Sequence, residues 1–194
     1  EENQKTVRKI RHDMKNHLSV IYSFIQNRDF EGAAKYFREL SGELTVNNRI
    51  FCKNSIVNAV LNSKYNTALE KQIDCFFNIS IDGLLGIDDI SLCSLFSNTL
   101  DNAIEACEKI QEVSKRQISL KARFDKGYFS YEISNSKKNT VTVKKDHFLT
   151  EKADKTTHGF GVQNVRDMVS KYEGDMDISY TEDRFTVTVL IGNL

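Results

Sequence analysis

Proline and tryptophan are both absent from the 194 residues, and only nine are glycine. Without proline the strongest helix breaker is missing, so helix boundaries must be read from glycine, asparagine and capping side chains. No run approaches the ~18 consecutive apolar residues that a membrane-crossing helix needs. The opening Glu1-Glu2-Asn3-Gln4-Lys5 also lacks the apolar core of a secretory leader. An excess of either charge is missing: 27 basic side chains stand against 27 acidic ones, which removes the electrostatic footprint of nucleic-acid or anionic-membrane binding. The four cysteines, Cys52, Cys75, Cys93 and Cys107, form no C-x-x-C pair and sit among apolar neighbours. They read as reduced core residues, not as a disulfide framework or a zinc site. What is present is apolar side chain, 40% of residues, enough for one large or two small cores.

Hydrophobic spacing divides the chain. Val7, Ile10, Met14, Leu18, Ile21 and Phe24/Ile25 recur at three and four residues and predict an amphipathic helix, with Val7, Ile10, Met14 and Ile21 inward. After Asn27-Arg28-Asp29, with Asp29 as N-cap, a second helix presents Ala33, Tyr36, Phe37, Leu40 and Leu44. A hairpin this small cannot bury two apolar stripes alone, so pairing with a second copy as a four-helix bundle is expected. Residues 1–50 are therefore assigned to a dimerising helical hairpin, and residues 51–194 to an α+β domain. In the latter, a helix opening at Ser55 precedes a strand over Cys75, Phe77, Ile79 and Ile81. A long helix follows from about Asp89 to Ile110. Ile118–Phe124 and Phe129–Ile133 flank a turn at Asp125-Lys126-Gly127, and a helix runs from Phe160 to about Tyr172. Strands at Asp177–Tyr180 and Arg184–Ile191 close the chain. Between Asn135 and His158 no period is sustained, which predicts a long irregular loop.

Three constellations carry chemistry. In Arg11-His12-Asp13-Met14-Lys15-Asn16-His17, the 3.6 period sets His12 away from the apolar stripe, with Asp13 adjacent and Asn16 one turn on. Such an imidazole is accessible and partly activated; taken alone, the motif is better explained as a solvated helix face. Asn98 and Asn102 lie one turn apart on an otherwise apolar helix. Their amide oxygens suit a hard cation such as Mg²⁺ and their N–H groups suit phosphate. Finally, Gly159-Phe160-Gly161 leaves the irregular stretch and opens a helix, where bare backbone and helix dipole favour phosphate. No G-x-G-x-x-G after a strand and no G-K-[ST] ending is present, so the dinucleotide-binding and P-loop readings both lose support.

In this order the constellations resemble the sensor histidine kinases of two-component systems. His12-Asp13-Met14-Lys15-Asn16 matches their phosphoacceptor motif, and Asn98-Thr99-Leu100-Asp101-Asn102-Ala103 resembles the N box of the GHKL ATP-binding fold. Ile133-Ser134-Asn135-Ser136 stands where the first glycine box falls, Phe148–Lys152 is similar to the lid, and Gly159–Asn164 to the second glycine box. The branch most similar is that of the AgrC-like peptide-pheromone (quorum-sensing) kinases, with a short hairpin, an "NAIEA" N box and a degenerate first glycine box.

The resemblance implies a two-layer α/β sandwich behind the bundle, ATP and Mg²⁺ as cofactors, and a cognate response regulator as partner. It also implies a cytoplasmic location, with membrane attachment only through an N-terminal sensor domain outside this sequence. His12 would accept the γ-phosphoryl group, Asp13 would orient or deprotonate its ring, and Asn16 would position phosphate. Asn102 would hold Mg²⁺, Asn98 would assist on the phosphates, Gly159 and Gly161 would cradle them, and Lys152 and Lys155 would reach them from the loop. Asn135 stands where most of the family has a carboxylate for adenine; an amide oxygen still accepts that hydrogen bond without charge assistance, so ATP should bind weakly. Asn98 occupies the place where GHKL ATPases carry a water-activating Glu, which argues against simple hydrolysis. The alternative is a phosphotransfer scaffold or pseudokinase whose nucleotide site has decayed.

Overall fold

The computed structural model describes residues 2–41, 49–82, 86–138, 142–144, 147–149 and 160–194. It divides into two compact units, Glu1–Thr45 and Val46–Leu194.

The first unit is a helical hairpin of α1 (Glu2–Gln26) and α2 (Phe30–Ser41). Nothing interrupts α1 over its 25 residues, the consequence of a proline-free stretch. It starts earlier than Val7 because its polar opening residues are competent helix formers that leave no apolar trace to read. Arg28, at φ 58°, makes the turn. Asp29 caps α2 by accepting the Gly32 N–H at 2.8 Å. Val7, Ile10 and Met14 are 63%, 60% and 55% exposed, the part of the stripe that the hairpin alone does not cover. The helices meet instead through a neighbouring face, with Ala33 buried, Phe24 packed near Tyr36, and His17 Nδ1 bonded to the Tyr36 hydroxyl at 3.0 Å.

The second unit is a sheet in the order β1-β2-β3-β7-β6 with helices on one face. Its elements are α3 (Ser55–Glu70), β1 (Asp74–Ser80), α4 (Asp89–Glu108), β2 (Gln117–Asp125), β3 (Tyr128–Ser136), β4 (Thr142–Lys144), β5 (His147–Leu149), α5 (Phe160–Lys171), β6 (Asp175–Tyr180) and β7 (Arg184–Ile191). Strand β1 runs parallel to β2 and the other neighbours are antiparallel, so the sheet is mixed. The β2–β3 turn places Lys126 and Gly127 at φ 50° and 79°, the left-handed pair that a two-residue hairpin requires. Alternation sends Ile118, Leu120, Ala122, Phe129, Tyr131, Ile133, Val187, Val189 and Ile191 into the core. The other face is mostly polar, with Phe76 and Leu190 exposed on it: Lys121 pairs with Glu132 at 3.0 Å, and Thr186 bonds Ser134. The central helix α4 buries Leu92, Leu95, Phe96, Leu100, Ala103, Ile104 and Cys107.

The irregular loop expected over Asn135–His158 is corrected only where residues are described: strand β3 continues to Ser136, and β4 pairs antiparallel with β5, while residues 139–141, 145–146 and 150–158 lie outside the described residues. Three-residue strands are too short for a period of two to register in sequence.

Candidate functional site

The site is organised by α4. Its first turn is closed by Asp88, whose carboxylate accepts the Ser91 N–H and hydroxyl, both at 2.9 Å. Lys171 and Tyr172, at the end of α5, bond the same carboxylate. Lys171 first, then Tyr172 and Ser91, hold the Asp88 carboxyl well below the usual carboxylate range. Near the other end of this antiparallel pair, Gly161 in the first turn of α5 lies against Asn102. A Cβ at Gly161 would stand 3.1 Å from the Asn102 Nδ2 and 3.5 Å from its Oδ1. The pairing of α4 and α5 thus brings the asparagine of one constellation to the glycine of another, about 60 residues apart in sequence.

The two asparagines differ in readiness. Asn98 donates its Nδ2 to the Ser94 carbonyl at 2.8 Å and to the Ser94 hydroxyl at 3.1 Å, so its amide oxygen is free to turn outward. Asn102 is exposed, with no side-chain hydrogen bond to other described residues. Thr99, between them, points the opposite way. Its hydroxyl donates to the Leu95 carbonyl at 2.8 Å and therefore accepts from the buried Tyr131 hydroxyl of β3. Burial pushes the Tyr131 phenol up, which keeps it a donor. This bond, with Phe96 edge-on to Tyr131 at 5.1 Å, fixes the rotation of α4 against the sheet.

Further along the same strand face, Asn135 is buried in register with Ile118 and Phe185. Its Nδ2 donates to the Ser136 carbonyl at 2.9 Å, which commits the amide oxygen to the acceptor role. Cys107 supports this strand end: its Sγ lies 3.5 Å from the carbonyls of Gln117 and Ser136. Lys137 is drawn away towards the β6–β7 turn, where its ammonium donates to the Glu182 carbonyl at 2.8 Å. Lys152, Lys155 and Gly159 lie outside the described residues.

In the hairpin, the His12 side chain is 73% exposed. Its Nδ1 lies 3.4 Å from Asp13 Oδ1 and 3.4 Å from Asn16 Nδ2. Both neighbours address one ring nitrogen, leaving Nε2 outward.

Thr99, Tyr131, Cys107, Lys64 and Asp101 were not singled out from sequence as supports of the site. Lys64 on α3 grips the Asp101 carboxylate next to Asn102 at 2.7 and 2.8 Å. One signal was available: a tyrosine at an inward strand position must find a partner for its hydroxyl. Among the described residues no cluster of His, Cys, Asp and Glu could hold a metal ion, so a cation here would rest on amide oxygens, nucleotide and water. Among them too, no helix is long and apolar enough to cross a membrane.

The chain resembles several solved structures. The catalytic domain of histidine kinase ThkA superposes with a TM-score of 0.56 at 19% identity, covering 73% of this chain and 95% of that one. The mycobacterial sensor histidine kinase MprB gives 0.52 at 14%, covering 71% and 93%. The Acinetobacter baumannii histidine kinase AdeS gives 0.52 at 12%, covering 93% and 97%. At these identities the likeness establishes the fold. No curated protein matches the sequence. The GHKL domain family matches residues 87–192, from the residue before the α4 cap to the end of β7. That is more than half of the sequence, and the chain belongs to the GHKL domain family.

Proposed function

We propose that the protein is an ATP-dependent protein-histidine kinase of a two-component system, of the AgrC-like branch. It transfers the γ-phosphoryl group of ATP to His12 and then to an aspartate of a response regulator. The observation that carries this reading is the meeting of Asn102 with Gly161 in a GHKL domain whose own chain also supplies an exposed imidazole.

The residues fit Mg²⁺ and a nucleotide. Asn98 and Asn102 offer hard amide oxygens, and Gly161 leaves open the space that any side chain would fill. Bound there, Mg²⁺ would neutralise phosphate charge and favour departure of ADP. Asn135 accepts from the adenine amino group through the oxygen that its bond to Ser136 leaves free. At His12, an Nδ1–H directed to Asp13 leaves the Nε2 lone pair as nucleophile. As the Nε2–phosphorus bond forms and the bond from phosphorus to the ADP oxygen breaks, positive charge develops on the ring. Asp13 stabilises that charge and takes the Nδ1 proton. Asn16, donating to the same Nδ1, favours the opposite tautomer, with its proton on Nε2, which is not nucleophilic. Asp13 and Asn16 therefore oppose each other at one atom.

The apolar surface of the hairpin supports a homodimer. Val7, Ile10, Met14, Leu18, Phe37 and Leu40 are all at least 44% exposed, and burying each contributes on the order of 1–2 kcal/mol.

The deciding experiment incubates the protein with γ-labelled ATP and Mg²⁺. Acid-labile label on the protein, absent in His12→Gln, is the expected result. Phosphate release without protein label would replace the kinase with an ATPase. Absence of nucleotide binding would leave a phosphotransfer scaffold.

A further inference from the structure

Asparagine recurs every fourth residue at Asn54, Asn58, Asn62 and Asn66, giving the start and one stripe of α3 an amide ladder. Three of its rungs are occupied by backbone. Asn54 caps the helix by accepting the Val57 N–H at 2.9 Å. Asn58 accepts the Phe51 N–H at 2.8 Å. The buried Asn62 accepts the Arg49 N–H at 2.6 Å, returns a donor to the Arg49 carbonyl at 2.8 Å, and spends its remaining N–H on the Asn58 carbonyl at 2.8 Å. Residues 49–52 are in neither helix nor strand, yet their backbone is paired as a strand edge would be. Side chains add to the grip: the Arg49 guanidinium lies 4.5 Å above the Tyr65 ring, and Phe51 packs 5.5 Å from both Tyr65 and Phe77.

Asparagine is a mediocre helix former, and a ladder of it costs α3 helical propensity. Binding the backbone of another segment offsets that cost. Two residues beyond Asn62, Lys64 makes its two-oxygen contact with Asp101, the neighbour of Asn102 on α4. The strap, α3 and the asparagine-bearing turn of α4 are thus joined by consecutive polar contacts.

We infer that residues 49–52 form a docked strap at the chain's entry to the second unit, and that Asn62 and Lys64 are positioning residues that couple its docking to the Asn98/Asn102 turn of α4. The functional part of this inference rests on the nucleotide reading of that turn; the mechanical part does not. A change in the path of the chain before residue 49 loosens the strap, relaxes α3 and releases Asp101, so the set of Asn102 depends on how the strap sits.

The test uses the full 194-residue protein and two readouts: backbone amide exchange by NMR, and Mg²⁺–ATP affinity by calorimetry. The Arg49 and Phe51 amides should be protected in the parent protein. Asn62→Ala should expose the Arg49 amide, accelerate exchange at Asp101 and Asn102, and weaken Mg²⁺–ATP binding about fivefold. Lys64→Met should weaken binding similarly while leaving the Arg49 amide protected. The double variant should be no worse than the poorer single one, because both act along one line. Arg49→Ala, at an exposed position, is a milder disturbance that keeps the test valid if Asn62→Ala does not fold. Free exchange of the Arg49 amide in the parent, or additive losses in the double variant, would overturn the inference. If the parent does not bind Mg²⁺–ATP, the kinase reading fails while exchange at Asp101 and Asn102 still decides the coupling: acceleration in Asn62→Ala upholds it, and no change overturns it.

Discussion

Gly161→Ala separates stability from binding because the two should move in opposite directions. Gly161 lies within α5, and its backbone has no left-handed torsion that would forbid a side chain. Alanine there removes unfolded-state freedom and improves helical propensity; in a first turn this is worth about 0.5 kcal/mol, which raises Tm by about 1–2 °C. The new methyl, however, would stand 3.1 Å from the Asn102 Nδ2 and 3.5 Å from its Oδ1. The amide must turn away or α5 must shift, and the close approach of a phosphate to the backbone is lost either way. Losing one hydrogen bond to a charged group costs about 1.5–3 kcal/mol, or roughly 10–100-fold in Kd. Calorimetry with a non-hydrolysable ATP analogue and Mg²⁺ measures the second effect, and thermal unfolding without ligand measures the first. Unchanged affinity in a variant of equal or higher Tm would refute the assignment of the Asn102–Gly161 contact to the phosphate site.

Tyr131→Phe removes the donor to Thr99 and should lower stability by about 1 kcal/mol, read as a Tm drop of about 2–4 °C; no change would mean that the hydroxyl does not hold α4 to the sheet. Asp88 has its carboxyl pKa below the unfolded value, so its contribution is present above the unfolded pKa and fades as pH falls below about 4. Asp88→Asn should accordingly lose stability at pH 7 and much less at pH 2, as urea unfolding at the two values will show. Burial pushes the Cys75 thiol up to about 12, so iodoacetamide at pH 8 should leave it unmodified in the native protein and modify it after denaturation. Leu18→Glu places a charge in the exposed apolar stripe. Two symmetric copies should together weaken self-association by on the order of 100-fold, a shift to monomer that sedimentation velocity will detect.

Periodicity exposed the long elements because each turns a single face to its neighbours. Helix α4 reads clearly since Leu92, Leu95, Leu100, Ala103 and Cys107 all enter the same core, and the β2–β3 hairpin reads from Asp125-Lys126-Gly127 between alternating strands. The apolar stripe of the hairpin is wider than one partner helix can cover, so sequence does not tell the part that meets α2 from the part left exposed. Asn98, Asn102, Asn135 and Gly161 were legible as candidates because they break local rules: asparagines in mid-helix, an amide on an inward strand position, a glycine opening a helix. What sets their orientation was not legible. Thr99 with Tyr131, and Lys64 with Asp101, are contacts between residues more than 30 positions apart, and each partner alone looks ordinary. The asparagines of α3 stand four residues apart, a spacing with no evident meaning in sequence because their target, a backbone without regular structure, has no sequence signal.

The uninterrupted α1 has a geometric consequence. At 1.5 Å per residue it is a rod about 37 Å long, and at 100° per residue His12 stands about 140° around its circumference from the centre of the stripe formed by Val7, Met14, Leu18 and Ile25. No proline-dependent joint divides the rod, so the azimuths of the imidazole and of the stripe are one variable. If the stripe meets a second copy as proposed, His12 would lie on the outer surface, and turning the helix back would carry the imidazole towards the seam. A single torsional displacement would then set both the proposed association of the hairpin and the accessibility of its histidine.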